Sequence, residues 1–91
     1  MAKVIAHRTA ASLAPENSLE GIRAAARCQA DFVEMDVRLS RDGELVLMHD
    51  ESVERTTGGG GLVEEMDLEE LRALHVPTLD EAVDLACRLG L

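Results

Sequence analysis

A parallel α/β fold is what this chain predicts, on three observations. A short apolar run, Val4-Ile5-Ala6, and a longer alternating one, Phe32 to Leu39, bracket a stretch with helical apolar spacing. The joints between them are short, which makes a βαβ unit with its two strands parallel. Three later or intervening stretches carry capping-box spacing: Asn17 with Glu20, Asp67 with Glu70, and Thr78 with Glu81.

Val4-Ile5-Ala6 is continuous and apolar, as expected of a strand covered on both faces in a parallel sheet, and it ends at His7-Arg8. Small residues and Pro15 make Thr9 to Glu16 a loop. Asn17 is then expected to cap a helix whose inner face is Leu19, Ile22, Ala25, Ala26 and Gln29. Gly21 inside it costs up to about 1 kcal/mol relative to Ala, which close packing against a strand would justify. The second strand alternates strictly, with Val33, Met35, Val37 and Leu39 on one side and Phe32, Glu34, Asp36 and Arg38 on the other. Asp42-Gly43 between alternating runs signals a hairpin, returning through Leu45 to Met48 and ending at His49-Asp50. Residues 51–66 are irregular. Their four glycines, 58 to 61, lack the Lys-Ser/Thr that a P-loop needs. Asp67 opens a short helix with Leu68, Leu71 and Leu74 inward, and Val76-Pro77 ends it. A last helix follows from Thr78 through Leu89, with Leu79, Ala82, Val83, Ala86 and Cys87 as its apolar face and Gly90 as its stop.

Ninety-one residues make one domain, 1–91, at most. Each βα unit takes about 30 residues, so a (β/α)8 barrel of about 250 does not fit within them. The net charge of −9, with no Lys/Arg cluster, argues against nucleic acid or an anionic membrane as partner. A phosphate-bearing substrate would need a local positive centre, which a metal or one arginine supplies. Cys28 and Cys87 form no metal-ligand pattern and fall in helical apolar spacing, so both are expected as buried, reduced thiols. No apolar run nears the ~20 residues of a membrane span, and the N-terminal run is short for a signal peptide. A cytoplasmic location is the default expectation.

Chemistry-bearing side chains gather at the strand ends. Glu34 and Asp36 point from one strand face, where two carboxylates are costly to bury without something positive between them. Two readings stand: an edge strand with a solvated polar face, or a pair of oxygen ligands for a hard divalent cation. His7-Arg8 ends the first strand and His49-Asp50 the third. Two histidines near a carboxylate-bound cation suggest metal-assisted hydrolysis with one acid and one base. Structural roles for both histidines remain open from spacing alone, because His49 closes a strand that runs back and need not share the rim. His75, at a helix end, reads as structural.

These residues carry a resemblance. His7-Arg8, Pro15-Glu16-Asn17-Ser18-Leu19-Glu20, Ala30-Asp31, Val33-Glu34-Met35-Asp36-Val37, Asp42-Gly43, His49-Asp50, Arg55-Thr56-Thr57-Gly58 and Val76-Pro77-Thr78-Leu79 stand in the order and spacing of glycerophosphodiester phosphodiesterases. Nearly the whole chain resembles the N-terminal quarter to third of that family's TIM (β/α)8 barrel, of the PLC-like phosphodiesterase type. The resemblance implies a hairpin, loop and helix insertion after the second strand, at about 38–76. It also implies Glu34 and Asp36 as metal ligands, for Mg2+ or Ca2+, His7 and His49 as the acid/base pair, and Arg8 as the phosphate contact. The implied reaction cleaves a glycerophosphodiester into glycerol phosphate and an alcohol. The substrate's glycerol hydroxyl attacks phosphorus with help from one histidine, and the other protonates the departing alcohol.

Two positions depart from the family pattern. Thr9 stands where Gly is usual, and a β-branched residue resists φ > 0. Gln29 stands where a Gly usually ends the first helix, so that joint is expected to be made differently. The family's further metal ligand falls beyond Leu91. Three readings therefore remain: a phosphodiesterase active through assembly or within something longer, a non-catalytic partial barrel that binds metal or phosphate, and an inactive fragment. A partial barrel leaves sheet edges and helix faces open, so self-association, or a partner that completes the sheet, is expected.

Overall fold

In the computed structural model, which describes residues 2–91, strand β1 (Ile5–Ala6) leads through a one-turn 3-10 segment (His7–Thr9) and a loop to helix α1 (Leu19–Arg27). Strand β2 (Phe32–Val33) follows, then the hairpin strands β3 (Val37–Leu39) and β4 (Leu45–Leu47). A one-turn helix α2 (Glu54–Thr57), a 3-10 turn (Val63–Glu65), α3 (Leu68–Ala73) and α4 (Leu79–Arg88) complete the order. β1 and β2 pair in parallel, Ile5 opposite Phe32 and Ala6 opposite Val33, so the expected βαβ unit forms.

The single strand expected over 32–39 is two strands in two sheets. β2 pairs with β1, while β3 pairs antiparallel with β4, Val37 opposite Leu47 and Leu39 opposite Leu45. Glu34 to Asp36 carry the chain from one sheet to the other. The apolar side divides with it: Val33 and Met35 pack inward, but Val37 and Leu39 are exposed. The Asp-Gly turn forms as expected, with Gly43 at φ 84 and the Ser40 N–H donating to Glu44 O at 2.9 Å.

The α1 cap lies one residue later than expected. Ser18 Oγ accepts from the Gly21 N–H at 3.0 Å, and Asn17 sits at φ 51 outside the helix. Of the expected α1 inner face, Ile22 and Ala25 are buried and Leu19 packs beside them, joined by Gly21 and Ala24, while Gln29 is exposed. The Asp67 and Thr78 caps form, the Asp67 N–H donating to Glu70 Oε1 (3.2 Å) and the Glu81 N–H to Thr78 Oγ1 (3.1 Å). The α1 end is made just as a glycine would make it: Gln29 takes φ 59, and Gln29 N–H to Ala26 O and Ala30 N–H to Ala25 O, both 3.0 Å, close a Schellman motif. His75 (φ 64) does the same for α3 and Gly90 (φ 80) for α4, so His75 is a helix-ending residue.

Three packed groups hold the elements. Val46, Met48, Val53, Val63, Met66, Leu71 and Val76 form one, drawn wholly from the stretch that runs from the hairpin to the turn just past α3. Ile22, Leu47, Ala82 and Ala86 join α1, β4 and α4, and Ala10, Ala24 and Ala25 back the first loop. On α4, Val83 and Cys87 of the expected face point to solvent, and Leu85 packs inward instead. Cys28 and Cys87 are free and exposed, against expectation, because each flanks the buried stripe of its helix. β1 and β2 are covered on one face rather than sandwiched: Ala6 and Val33 pack inward, while Val4 is 58%, Ile5 62% and Phe32 51% exposed. No helix among the described residues is long and apolar enough to cross a membrane.

Candidate active site

His7 and Arg8 leave β1 in a turn with three successive non-glycine residues at positive φ: Arg8 (49), Thr9 (67) and Ala10 (130). Each left-handed position costs about 1–3 kcal/mol, so the surroundings must impose it. The Thr9 N–H donates to Glu34 O (2.9 Å) and the Asn17 N–H to Arg8 O (2.7 Å), pinning the turn from both sides. Thr9 thus adopts the conformation that its β-branch disfavours. It is fully buried, its Oγ1 accepts from the Ser18 N–H at 3.2 Å, and a Cβ at position 21 would collide with that Oγ1. Gly21 is present because Thr9 needs the space.

The carboxylates converge on this turn. Glu34 Oε2 accepts from the Arg8 N–H (3.1 Å) and lies 3.6 Å from His7 Nε2. Asp36 Oδ2 lies 3.8 Å from Arg8 Nε, a buried N–H with no hydrogen-bond partner. Arg8 thus links the two carboxylates, meeting Glu34 through its backbone N–H and Asp36 through its guanidinium. Asn17 holds Asp36 by two bonds, Nδ2 donating to Oδ2 (3.1 Å) and Oδ1 accepting from the Asp36 N–H (3.0 Å). Sequence reasoning gave Asn17 only a capping role. Its position one residue ahead of the cap, with a side chain that tolerates left-handed backbone, is the signal that pointed elsewhere.

His49 reaches the same end of the fold through the hairpin. The β3–β4 register sets residue 48 opposite residue 36, and the Met48 N–H donates to Asp36 O at 3.0 Å. The chain that runs back thus returns His49 to the level of the carboxylates. Its Nδ1 is 2.7 Å from Asp50 Oδ1, and its backbone oxygen accepts from Arg38 Nη2 at 2.9 Å. Asp50 and Glu16 both take Arg55, and Glu16 also takes Arg8 Nη1 at 3.4 Å. The five expected residues are therefore strung on one polar chain, His7–Glu34–Arg8–Asp36 on one arm and Arg8–Glu16–Arg55–Asp50–His49 on the other. His7 and His49 themselves share no contact in it. Arg55 hydrogen bonds first, and burial only against them, set the Glu16 carboxyl below its ordinary range. Asp50 is lowered further, by Arg55 first and His49 second.

Glu34 and Asp36 offer oxygen donors of the kind a hard divalent cation takes. Among the described residues no group of three or more His, Cys, Asp or Glu side chains is arranged to hold a metal. The donor chemistry fits such an ion, and the donor number is that of part of a shell.

Comparison with known proteins bears on this arrangement. The model of the "Glycerophosphoryl diester phosphodiesterase family" matches residues 7–88. A glycerophosphodiester phosphodiesterase of Caldanaerobacter subterraneus is 40% identical over an alignment covering 90% of this chain and 39% of that protein. Human glycerophosphodiester phosphodiesterase 1 is 42% identical, with 87% of this chain and 28% of that one covered. The crystal structure of a glycerophosphodiester phosphodiesterase from Agrobacterium tumefaciens superposes at TM-score 0.91 with 34% identity, covering 99% of this chain and 45% of that one. An Oleispira antarctica phosphodiesterase, solved with its product sn-glycerol-3-phosphate, gives TM-score 0.88 and 35% identity, covering 100% of this chain and 42% of that one. The chain thus spans between 28% and 39% of the length of these two curated relatives.

Proposed function

The chain belongs to the glycerophosphoryl diester phosphodiesterase family, and from that premise we propose that it carries the N-terminal part of a site that hydrolyses glycerophosphodiesters to glycerol 3-phosphate and an alcohol. One observation carries this reading: a continuous polar chain links His7, Arg8, Glu34, Asp36 and His49, drawn from three separate strand ends. In this reading β1 and β2 are the first two strands of a (β/α)8 barrel, and about 38–76 is an insertion after the second.

Arg8 is the phosphate contact: its Nε is buried without a hydrogen-bond partner, a donor that an anionic phosphoryl oxygen would satisfy. His7 and His49 are the acid/base pair. One takes the proton of the attacking glycerol hydroxyl and the other returns a proton to the departing alcohol oxygen, which leaves a cyclic glycerol phosphate. Water then opens that ring with the two roles exchanged, giving glycerol 3-phosphate. Asp50 at Nδ1 leaves His49 Nε2 as the atom for that transfer. Glu34 and Asp36 would hold a divalent cation, Mg2+ or Ca2+, which neutralises charge on the phosphoryl oxygens when bound. The remaining ligands would come from the length of the relatives that this chain does not cover.

A second reading is a module that binds phosphate or metal without turnover, which the Arg8 Nε that lacks a hydrogen-bond partner would serve equally. Phosphorus NMR of glycerophosphocholine with the purified chain and Mg2+ or Ca2+ decides between them. Hydrolysis that falls at least ~100-fold in His49→Ala, and stops with a chelator, supports the phosphodiesterase. A folded chain with no turnover leaves the binding module. We also propose that the open β1 edge pairs with a second copy or a completing partner. A monodisperse monomer in light scattering at tens of micromolar would exclude the second copy.

A further inference from the structure

Arg55 belongs to none of the roles above, yet it makes four charge-assisted hydrogen bonds. Its Nε and Nη2 donate to Asp50 Oδ2 (2.8 Å) and Oδ1 (3.0 Å). Its Nη1 and Nη2 donate to Glu16 Oε1 (3.0 Å) and Oε2 (2.8 Å). Both carboxylates are thus gripped bidentately by one planar fork, across a sequence separation of 39 residues in the case of Glu16. Each carboxylate then touches a different candidate catalytic group: Asp50 Oδ1 meets His49 Nδ1 at 2.7 Å, and Glu16 Oε1 meets Arg8 Nη1 at 3.4 Å.

We propose that Arg55 is the positioning residue that sets His49 and Arg8 at once, through Asp50 and Glu16. The inference rests on the phosphodiesterase reading for its purpose, though not for its geometry. An ionised Asp50 can only accept, so the proton between it and His49 sits on Nδ1, and the ring presents Nε2 outward. Asp50 is ionised at neutral pH with or without Arg55; what the bidentate pair adds is the direction in which Oδ1 faces Nδ1. The same guanidinium fixes the Glu16 carboxylate that faces Arg8. Glu16 is well covered, its side chain 13% exposed, but that of Arg55 is 51% exposed, and exposed ion pairs add little to stability. What four bonds at fixed angles supply instead is direction, and a lysine cannot replace them.

The test is a nitrogen-15 NMR comparison of the full chain with its R55Q, R55K, D50N and E16Q variants, each checked for fold by circular dichroism. Two probes are read: the tautomer of the His49 ring and the side-chain Nε–H resonance of Arg8. In the unaltered chain His49 is expected as the Nδ1–H form. R55Q should return it towards the Nε2–H form that free imidazole favours in water and move the Arg8 resonance in the same variant. D50N should move the His49 probe alone, and E16Q the Arg8 probe alone. A folded R55Q with either probe unmoved overturns the proposal. If R55Q does not fold, R55K decides by the same criterion, since it keeps the charge and loses the fork. In the phosphodiesterase assay R55Q should lower kcat/KM by about 10–100-fold. A loss of turnover with both probes unmoved defeats the positioning role and leaves the phosphodiesterase reading standing. Probes that move in a chain without turnover do the reverse.

Discussion

The hairpin-to-α3 stretch and the βαβ unit ahead of it are built on opposite terms. Val46, Met48, Val53, Val63, Met66, Leu71 and Val76 close a core among themselves, with Leu68 and Leu74 against it. The βαβ unit buries Ile22 against Leu47, Ala82 and Ala86 of later elements, but backs its loop with three alanines and leaves Val4, Ile5 and Phe32 exposed. Yet four of the five candidate site residues sit on the poorly covered part. The turn that carries two of them holds three left-handed non-glycine residues. The rigidity of the site's turn thus rests on hydrogen bonds to named partners more than on a large apolar core. Asn17, Thr9 and Glu34 pin the strained turn, and Arg55 lends it an anchor from the neighbouring, well-packed stretch.

The contrast is sharpest in the cores. Leu71→Ala, at a fully buried site, should cost about 2–5 kcal/mol in urea denaturation. Ile5→Ala, 62% exposed, should cost less than about 0.5 kcal/mol. Equal losses would break the comparison. Gly21→Ala should cost about 1–3 kcal/mol by driving a methyl into Thr9 Oγ1, and much of that should return in the T9G/G21A double variant. Additive losses would mean the crowding lies elsewhere. The Arg55 anchor should show as acid sensitivity. The Glu16 and Asp50 carboxyls are lowered in the folded chain, so their contribution is complete above the ordinary carboxylate range and lost as pH falls through the lowered values. The stability gap between the unaltered chain and R55Q, measured at pH 7 and at about pH 3, should therefore shrink with acid. A gap that widens would refute the anchor. The smallest change is Asp84→Ala on α4. It removes an exposed i,i+4 pair to Arg88 at 3.0 Å and should move stability by less than about 0.5 kcal/mol.

Much of this was legible without coordinates. The βαβ unit, the Asp42-Gly43 hairpin, two of the three caps and the helix stop at Gly90 follow from chemistry that acts over four or five residues. The family resemblance rested on motifs that stand in order along the chain, and the family match agrees with it. Where reading failed, it failed by small offsets or long distances. Ser18 took the cap from Asn17 because Asn17 was drawn to Asp36, 19 residues on. Gln29 and Thr9 took positive φ despite their side chains, since the motifs around them supply enough bonds to hold it.

Most elements, their turns and stops, and the polar residues at strand ends were set by neighbours along the chain. Only the tertiary structure decided that the long second strand breaks at Glu34 to Asp36, that both thiols face solvent, and that His49 comes back level with Asp36. It alone brought Glu16 to Arg55. A register between strands and a meeting across 39 residues depend on how whole faces pack, and no local pattern encodes that.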